Sequence, residues 1–397
     1  MQLQKELQDK GDIPTARASL WSSLFGKMDV RAYTMVGALI LIWVLFGVLS
    51  PTFLTSRNLS NLFTQMSVTS ILAIGMVLVI VAGHIDLSVG SIVGLTGGIA
   101  AILSNWLELP AIVVIVGTLA AGAVLGLLQG WLVAYKMIPA FIVTLGGMMV
   151  FRGVLMGVTE SKTIPVSDPF LALLGNAYFS QGFGIVLGIL AVGMLLWTAF
   201  NKRRSRHKYG FEVAPLGVDV VKVAALSLLV GSFIAVMNNY KGIPFPIIFV
   251  IVLAVIFYFL STKTTFGRHV YAIGGNIEAA RLSGINIKKK TMFIFLLSGL
   301  LASVASIVLT SRLASATITA GNMAEMDAIA ACVIGGTSLM GGAGTVIGAI
   351  IGALVMTSLD NGMSLMGLES FWQYVVKGSI LVIAVWLDIS NRKKGVK

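Results

Sequence analysis

The sequence predicts an all-α polytopic membrane protein: a bundle of about ten to twelve transmembrane helices with an internal duplication. Three observations carry this. Of 397 residues, 57% are hydrophobic and 11% charged, a composition outside the soluble range. The apolar residues fall in repeated runs of about 17–25, the helix length that crosses a bilayer's hydrocarbon core. Most of the 28 lysines and arginines lie in alternate connections between those runs, as the positive-inside rule requires.

In chain order the predicted spans are 33–50, 64–83, 87–105, 110–135, 139–158, 181–200, 216–237, 243–261, 291–311, 326–341, 344–360 and 372–388. The segments flanking residues 86 and 342 are glycine-rich and can be broken or re-entrant. Residues 1–32 form a cytoplasmic N-terminal segment, 33–389 one transmembrane domain, and 390–397 a basic cytoplasmic tail. Residues 1–30 are too polar for a cleavable signal peptide, so the span near Tyr33 serves as an uncleaved anchor. With both termini inside, the cytoplasmic connections hold the basic run Lys202–Lys208, residues 262–290 and the C-terminal lysines. The external connections are short, and no connection is long enough for a second folded domain.

The net charge of +12 follows this topology. Nucleic acid is excluded as a partner, because the aromatic and basic groove pattern it needs is absent. One cysteine, Cys332, lies in an apolar run and cannot form an internal disulfide. His84, His207 and His269 are far apart, and no zinc-ligand spacing exists. No metal or cofactor is expected on this chain.

Two stretches echo each other: "GHIDLSVGSIVGLTGG" from Gly83 and "GGTSLMGGAGTVIGAIIG" from Gly335. Allowing two extra residues in the second, Gly83 matches Gly335, Leu87 Leu339, Ser91 Thr345, Gly94 Gly348 and Gly98 Gly352. Duplicated halves with glycine-interrupted spans mark a transport path, since irregular backbone is tolerated where it lines a cavity. Gly90, Gly94 and Gly98 recur every four residues, as do Gly122, Gly126 and Gly130, and Gly344, Gly348 and Gly352. Such stripes let helix backbones approach closely, and plain bundle packing is the favoured reading.

Few charges enter the spans. Asp86, at the cytoplasmic end of its span, either N-caps the next helix or takes part in solute passage. Arg152 lies deeper and needs a carboxylate or backbone carbonyls. Glu325 and Asp327 begin a span on the outer side, where acidic residues suit a helix N-terminus. Asn361, beside Asp360, faces a polar path or caps a helix. Asp86, Ser88, Ser91, Thr144, Arg152, Thr337, Ser338 and Asn361 are the candidate path or gate residues. Asp86, Arg152 and Lys377 read as scattered. No chain of carboxylates runs through successive spans, which disfavours an ion-coupled transporter, and no clustered nucleophile and base suggests an enzyme.

One polar element remains, "AIGGNIEAARLSGINIKKK". Asn276 N-caps a two-turn helix, Glu278 suits its first turn, Ala279 and Ala280 favour helix, and Gly284 closes it. Ile277, Ala280, Leu282 and Ile285 offer apolar contacts, and Arg281 a charge. A helix this short is not stable alone and must pack on something: a groove on another protein, or lipid headgroups met by Lys288, Lys289 and Lys290.

"EAARLSG" resembles the Glu-Ala-Ala…Gly loop of ABC-importer permeases. "IDLSVGS" at Ile85–Ser91, "PAFIVTLGG" at Pro139–Gly147, "MDAIAACVIGGTSLMGGAG" from Met326 and "FLTSRNLSNL" at Phe53–Leu62 resemble the ribose/xylose-type sugar permeases of that class. The likeness runs from about residue 33 to 390. His84 stands where relatives often carry a small residue, and 201–242 looks inserted. The resemblance implies a permease in the bacterial inner membrane that pairs with a second copy. It implies a cytosolic ATPase docked on Asn276–Gly284 and an external sugar-binding protein. The cargo would be a pentose, D-xylose foremost, with another small sugar such as ribose as the alternative. ATP must bind elsewhere: "GVTESKT" places Ser161 where a Walker A loop needs glycine.

Overall fold

The computed structural model describes residues 30–395 apart from 212 and 214. The expectations for residues 1–29 and for the end of the basic tail, 396–397, therefore lie outside the described residues. The chain forms two compact units. The larger holds Arg31–Gly184 and Ile234–Lys397, and the smaller contains Ile185–Phe233.

Several helices of the larger unit start where the sequence supplies a start signal. After α1 (Val30–Leu49), Thr55 caps α2 (Ser56–Val81) by accepting from the Asn58 N–H. Apolar on nearly every face, α2 is the buried centre of the unit. α3 (Val89–Ala101) ends in a π-helical turn, Ile102–Trp106. Pro110 and Pro139 immediately precede α4 (Ala111–Ala134) and α5 (Ala140–Val158), where proline's fixed φ suits a helix start. Asp168 caps the short α6 (Pro169–Asn176). α7 (Gln181–Lys208) and α8 (Leu216–Asn238) run into the smaller unit. Then follow α9 (Phe245–Lys263), α10 (Thr265–Gly275), α11 (Ile277–Leu282), α12 (Ile287–Leu313), α13 (Ala324–Ile334), α14 (Val346–Leu365) and α15 (Ser370–Gly395). The sheet is a single two-residue pair among the described residues: β1 (Ile164–Pro165) runs antiparallel to β2 (Ser315–Ala316).

The glycine stripes are packing seams. A Cβ at Gly126 would lie 2.3 Å from the Phe295 carbonyl oxygen, and one at Gly299 would lie 2.2 Å from that of Gly122. α4 and α12 therefore touch backbone to backbone. Gly352 meets the Ala331 carbonyl and Gly348 that of Gly335, which seats α14 against α13. With no hydrophobic drive between helices in lipid, such close approach supplies dispersion contact instead.

Nine helices among the described residues are long and apolar enough to cross a membrane, and Met35–Leu49 and Ser370–Trp386 are shorter apolar helices. This gives the all-α polytopic fold. One predicted span is corrected: 326–341 is not a continuous helix. α13 has 11 residues, or about 16 Å at 1.5 Å per residue, half a bilayer core. Glycines end it: Gly336, Gly341 and Gly342 all have positive φ, a region that only glycine enters freely.

The turns of the larger unit form two sets. In one, Gly342 N–H donates to the Val81 carbonyl and Tyr271 donates to that of Gly344, which joins the segments after α2, α10 and α13. In the other, Asn239 bonds Ser56, Tyr178 bridges Pro244, Asn176 donates to the Ser311 carbonyl and β1 pairs with β2. Successive spans alternate between the sets.

Candidate functional site

Two glycine breaks join helices of the larger unit. After α2 the chain leaves the helix at Gly83 (φ +83°) and runs extended to Ser88 before α3 begins. After α13 it leaves at Gly336 (φ +82°) and runs to Thr345, whose side chain caps α14. The echoing stretches thus share a helix, a glycine break, a coil and a second helix. Their residue register differs: Thr345 caps a helix, whereas its matched residue Ser91 lies inside one, and the cap position of α3 is Ser88.

Asp86 is buried inside the unit and faces Ser298 on α12. It does not cap α3. Its Oδ1 accepts from the Ser88 N–H (2.9 Å) and hydroxyl (2.6 Å), and its Oδ2 from the Ser298 hydroxyl (2.9 Å). Gln129 Nε2 donates to the Ser88 hydroxyl at 2.8 Å. The carboxylate lies two residues before the cap position, Ser88, so it closes a local turn and links the start of α3 to α12, while Gln129 on Ser88 brings in α4. Ser91 donates to the Ser88 carbonyl, and Thr144 makes a long 3.3 Å bond to that of Ile85. Asp86, Ser88, Ser91 and Thr144 are therefore brought together, with Gln129 and Ser298 as members that sequence reasoning missed.

The segment between β2 and α13 dips into the unit. Arg152 Nη1 on α5 donates to the carbonyls of Ile318 (2.7 Å) and Ala320 (2.9 Å). Of the two partners left open for Arg152, carbonyls take the hydrogen bonds, and Glu325 lies within electrostatic range. Gly321 (φ +70°) lies against Gly90, where a Cβ would be 2.2 Å from the Gly90 carbonyl oxygen. The start of α13 thereby meets the start of α3 deep inside. Half-helices that meet away from the surface are how transporters expose backbone to a solute path.

Thr337 and Ser338 sit apart from this cluster, in the second break. The Thr337 hydroxyl is buried without a partner among the described residues. Ser338 N–H donates to the Ala343 carbonyl, which closes the loop. Asn361 and Asn58 exchange amide hydrogen bonds at 2.8 and 3.0 Å, pinning α14 to α2. Asn361 is thus engaged in holding two helices and does not cap a helix end.

Asp86, Arg152 and Lys377 have separate partners, and Lys377 has an ion cluster of its own. Lys377 on α15 contacts Asp327 on α13 at 3.0 Å and Asp360 on α14 at 2.8 Å. All three side chains are largely shielded, with that of Lys377 18% exposed. Ionisable residues inside spans are expensive unless paired, and the two signs in neighbouring spans were the available signal.

The polar knob follows the predicted local chemistry. Asn276 accepts from the Ala279 N–H (3.0 Å), Glu278 pairs with Arg281 (2.9 Å), and Gly284 (φ +79°) turns the chain out of α11. Ala280 is the residue of α11 that packs inward, at 3% exposed, whereas Leu282 is 85% exposed and Ile277 half-exposed. The apolar contacts expected of Ile277 and Leu282 are thus not made within this chain. Gly274 holds the base, since a Cβ there would lie 1.7 Å from the Val81 carbonyl oxygen. Burial raises the Tyr271 phenol above its ordinary pKa, so it remains the donor to Gly344. Beside α11 opens a cavity of about 720 Å³ lined by His84, Ile85, Pro139, Phe141, Glu278, Arg281, Lys288 and Thr291, among others. Among the described residues no cluster of His, Cys, Asp or Glu can hold a metal ion.

A bundle of spanning helices with one short, glycine-ended helix, α13, and a buried polar cluster around Asp86 has the features of a membrane transport protein. Residues 58–385 match the family described as the branched-chain amino acid transport system / permease component. The chain belongs to that family: it is a multi-pass membrane permease component. It is 48% identical over 369 residues to the xylose transport system permease protein XylH of Haemophilus influenzae, covering 92% of this chain and 98% of that protein. It is 43% identical to the Escherichia coli K12 protein of the same name, over 92% and 94%. The ribose import permease protein RbsC of E. coli K12 is 37% identical over 90% and 92%. No solved structure matches the chain.

Proposed function

We propose that this chain is the permease subunit of an ATP-driven importer in the bacterial inner membrane that carries a pentose, D-xylose foremost, into the cytoplasm by alternating access. The observation that carries the coupling role is α11. Leu282 at its tip is 85% exposed while Ala280 anchors its other face, so a rigid apolar knob stands without a partner in this chain. A motor subunit that grips Asn276, Ile277, Glu278, Ala279, Ala280, Arg281, Leu282 and Gly284 would move α10, and through Tyr271 and Gly274 both broken segments. Asp86, Ser88, Ser91, Thr144, Arg152, Thr337 and Ser338 would then line or gate the path. The working assembly would be two copies of this chain, a cytosolic ATPase and an external sugar-binding protein, with both termini cytoplasmic. The 48% and 43% identity to xylose permeases supports the cargo. Ribose is the second reading, favoured by the 37% relative.

The test is uptake of labelled D-xylose and ribose by a strain lacking its own pentose permeases and expressing this chain with its ATPase and binding protein. Xylose uptake that requires a hydrolysis-competent ATPase is expected. Uptake that persists without the ATPase and collapses with an uncoupler overturns the reading in favour of ion coupling.

A further inference from the structure

The smaller unit suggests an interaction of its own. Its helices, α7 and α8, each have a span of mean hydropathy 2.3, and almost none of their residues is buried in the protein. Helices this long and apolar are suited to lipid surroundings. The turn end of this hairpin is strongly basic, its charge carried by the last two turns of α7. From 200 to 222 the sequence holds Lys202, Arg203, Arg204, Arg206, Lys208 and Lys222 against Glu212 and Asp219. Arg203 pairs with Asp219 across the hairpin at 2.8 Å, which ties the two helices together at the turn. The side chains of Lys202, Arg204, Arg206 and Lys208 are exposed. Tyr209 and Phe211, in the turn that follows the basic stretch, are exposed too.

We infer that this turn binds the anionic phospholipid headgroups of the leaflet at which it emerges. Basic side chains at the end of two membrane-spanning helices would lie within reach of the headgroup charge, which decays over a Debye length of about 8–10 Å. Each basic side chain near an anionic surface contributes affinity, and clusters of four or more give lipid selectivity. The aromatic rings suit the same interfacial layer. Basic residues that served only to orient the nascent chain would need no affinity in the folded protein, and this separates the two roles.

The test uses the purified full chain in detergent, titrated with phosphatidylglycerol or phosphatidylcholine of identical acyl chains and read by native mass spectrometry. The wild type should prefer phosphatidylglycerol. K202Q/R204Q/R206Q/K208Q should lose that preference, roughly fivefold in affinity per charge removed, while R204K/R206K keeps it. The single variant R204E, which perturbs folding least, should lower it as well. Glycerol phosphate should not displace the lipid. Equal binding of the two lipids, an unchanged preference in both charge-removing variants, or displacement by glycerol phosphate would overturn the assignment.

Discussion

Lys377 illustrates how single residues hold this bundle. Its ammonium sits between Asp327 and Asp360, three shielded charges from three helices. Removing one member of a buried ion cluster is costly because the remaining charges lose their partner, by about 3–5 kcal/mol. Lys377→Met should therefore lower the thermal unfolding midpoint in detergent sharply, and adding D327N and D360N should recover most of the loss. A wild-type midpoint for the single variant would show the cluster to be unimportant. Arg152 works through backbone instead. Arg152→Met removes two charge-assisted bonds to Ile318 and Ala320, a loss of roughly 3 kcal/mol. It should free the 317–323 segment, read as faster amide hydrogen exchange confined to that stretch. Unchanged exchange there would mean that Gly321 against Gly90 suffices to hold it.

Among the elements, the α4–α12 seam and α11 respond to substitution for opposite reasons. Gly126→Val places a methyl-bearing carbon where only 2.3 Å separates it from a carbonyl oxygen, and the yield of folded protein should collapse. Gly146→Val on α5, where a Cβ meets nothing within 4 Å, should be tolerated. Similar yields for both would disprove the seam. On α11, Gly284→Pro demands φ near −65° where the chain needs +79°, and Glu278→Lys breaks the pair with Arg281. Both should insert normally and fail to co-purify with the ATPase, and retention of the ATPase by both would remove α11 from the coupling role. Much at this scale was legible in the sequence. The Asn276 cap, the Gly284 close and apolar length are local signals and were read directly, whereas the caps at Thr55, Asp168 and Thr345 came to light in the structure. What was not legible depends on contacts distant in sequence. The length of α13 was hidden because its apolar run continues past Ile334 into a glycine-rich coil. Asp86 meets Ser298 and Lys377 meets Asp327 only after folding, and no local pattern announces either pair.

For the whole molecule, the contacts separate the turns after α2, α10 and α13 from those near Ser56, β1, Tyr178, Asn239 and β2, and the alternation of basic residues predicts opposite membrane sides for the two sets. Cys332 is buried, so a single introduced cysteine reports alone. Leu282→Cys should react with an impermeant maleimide only in inside-out vesicles, and Lys241→Cys only in right-side-out cells. Reaction of both from one side would break the topology and with it the proposed direction of transport. The order of spans was readable from apolar length and charge. The joining of the glycine breaks into one structural centre was not, because it rests on backbone contacts such as Gly342 to Val81 and Gly321 to Gly90.

The joint between α4 and α12 has a mechanical consequence. Where two rods meet through bare main chain, no rotamer can hop and no side chain can bend to let them slip. Any cycle of opening and closing must carry the pair as one stiff beam, with the hinges elsewhere, at the glycine breaks and the dipping 317–323 segment.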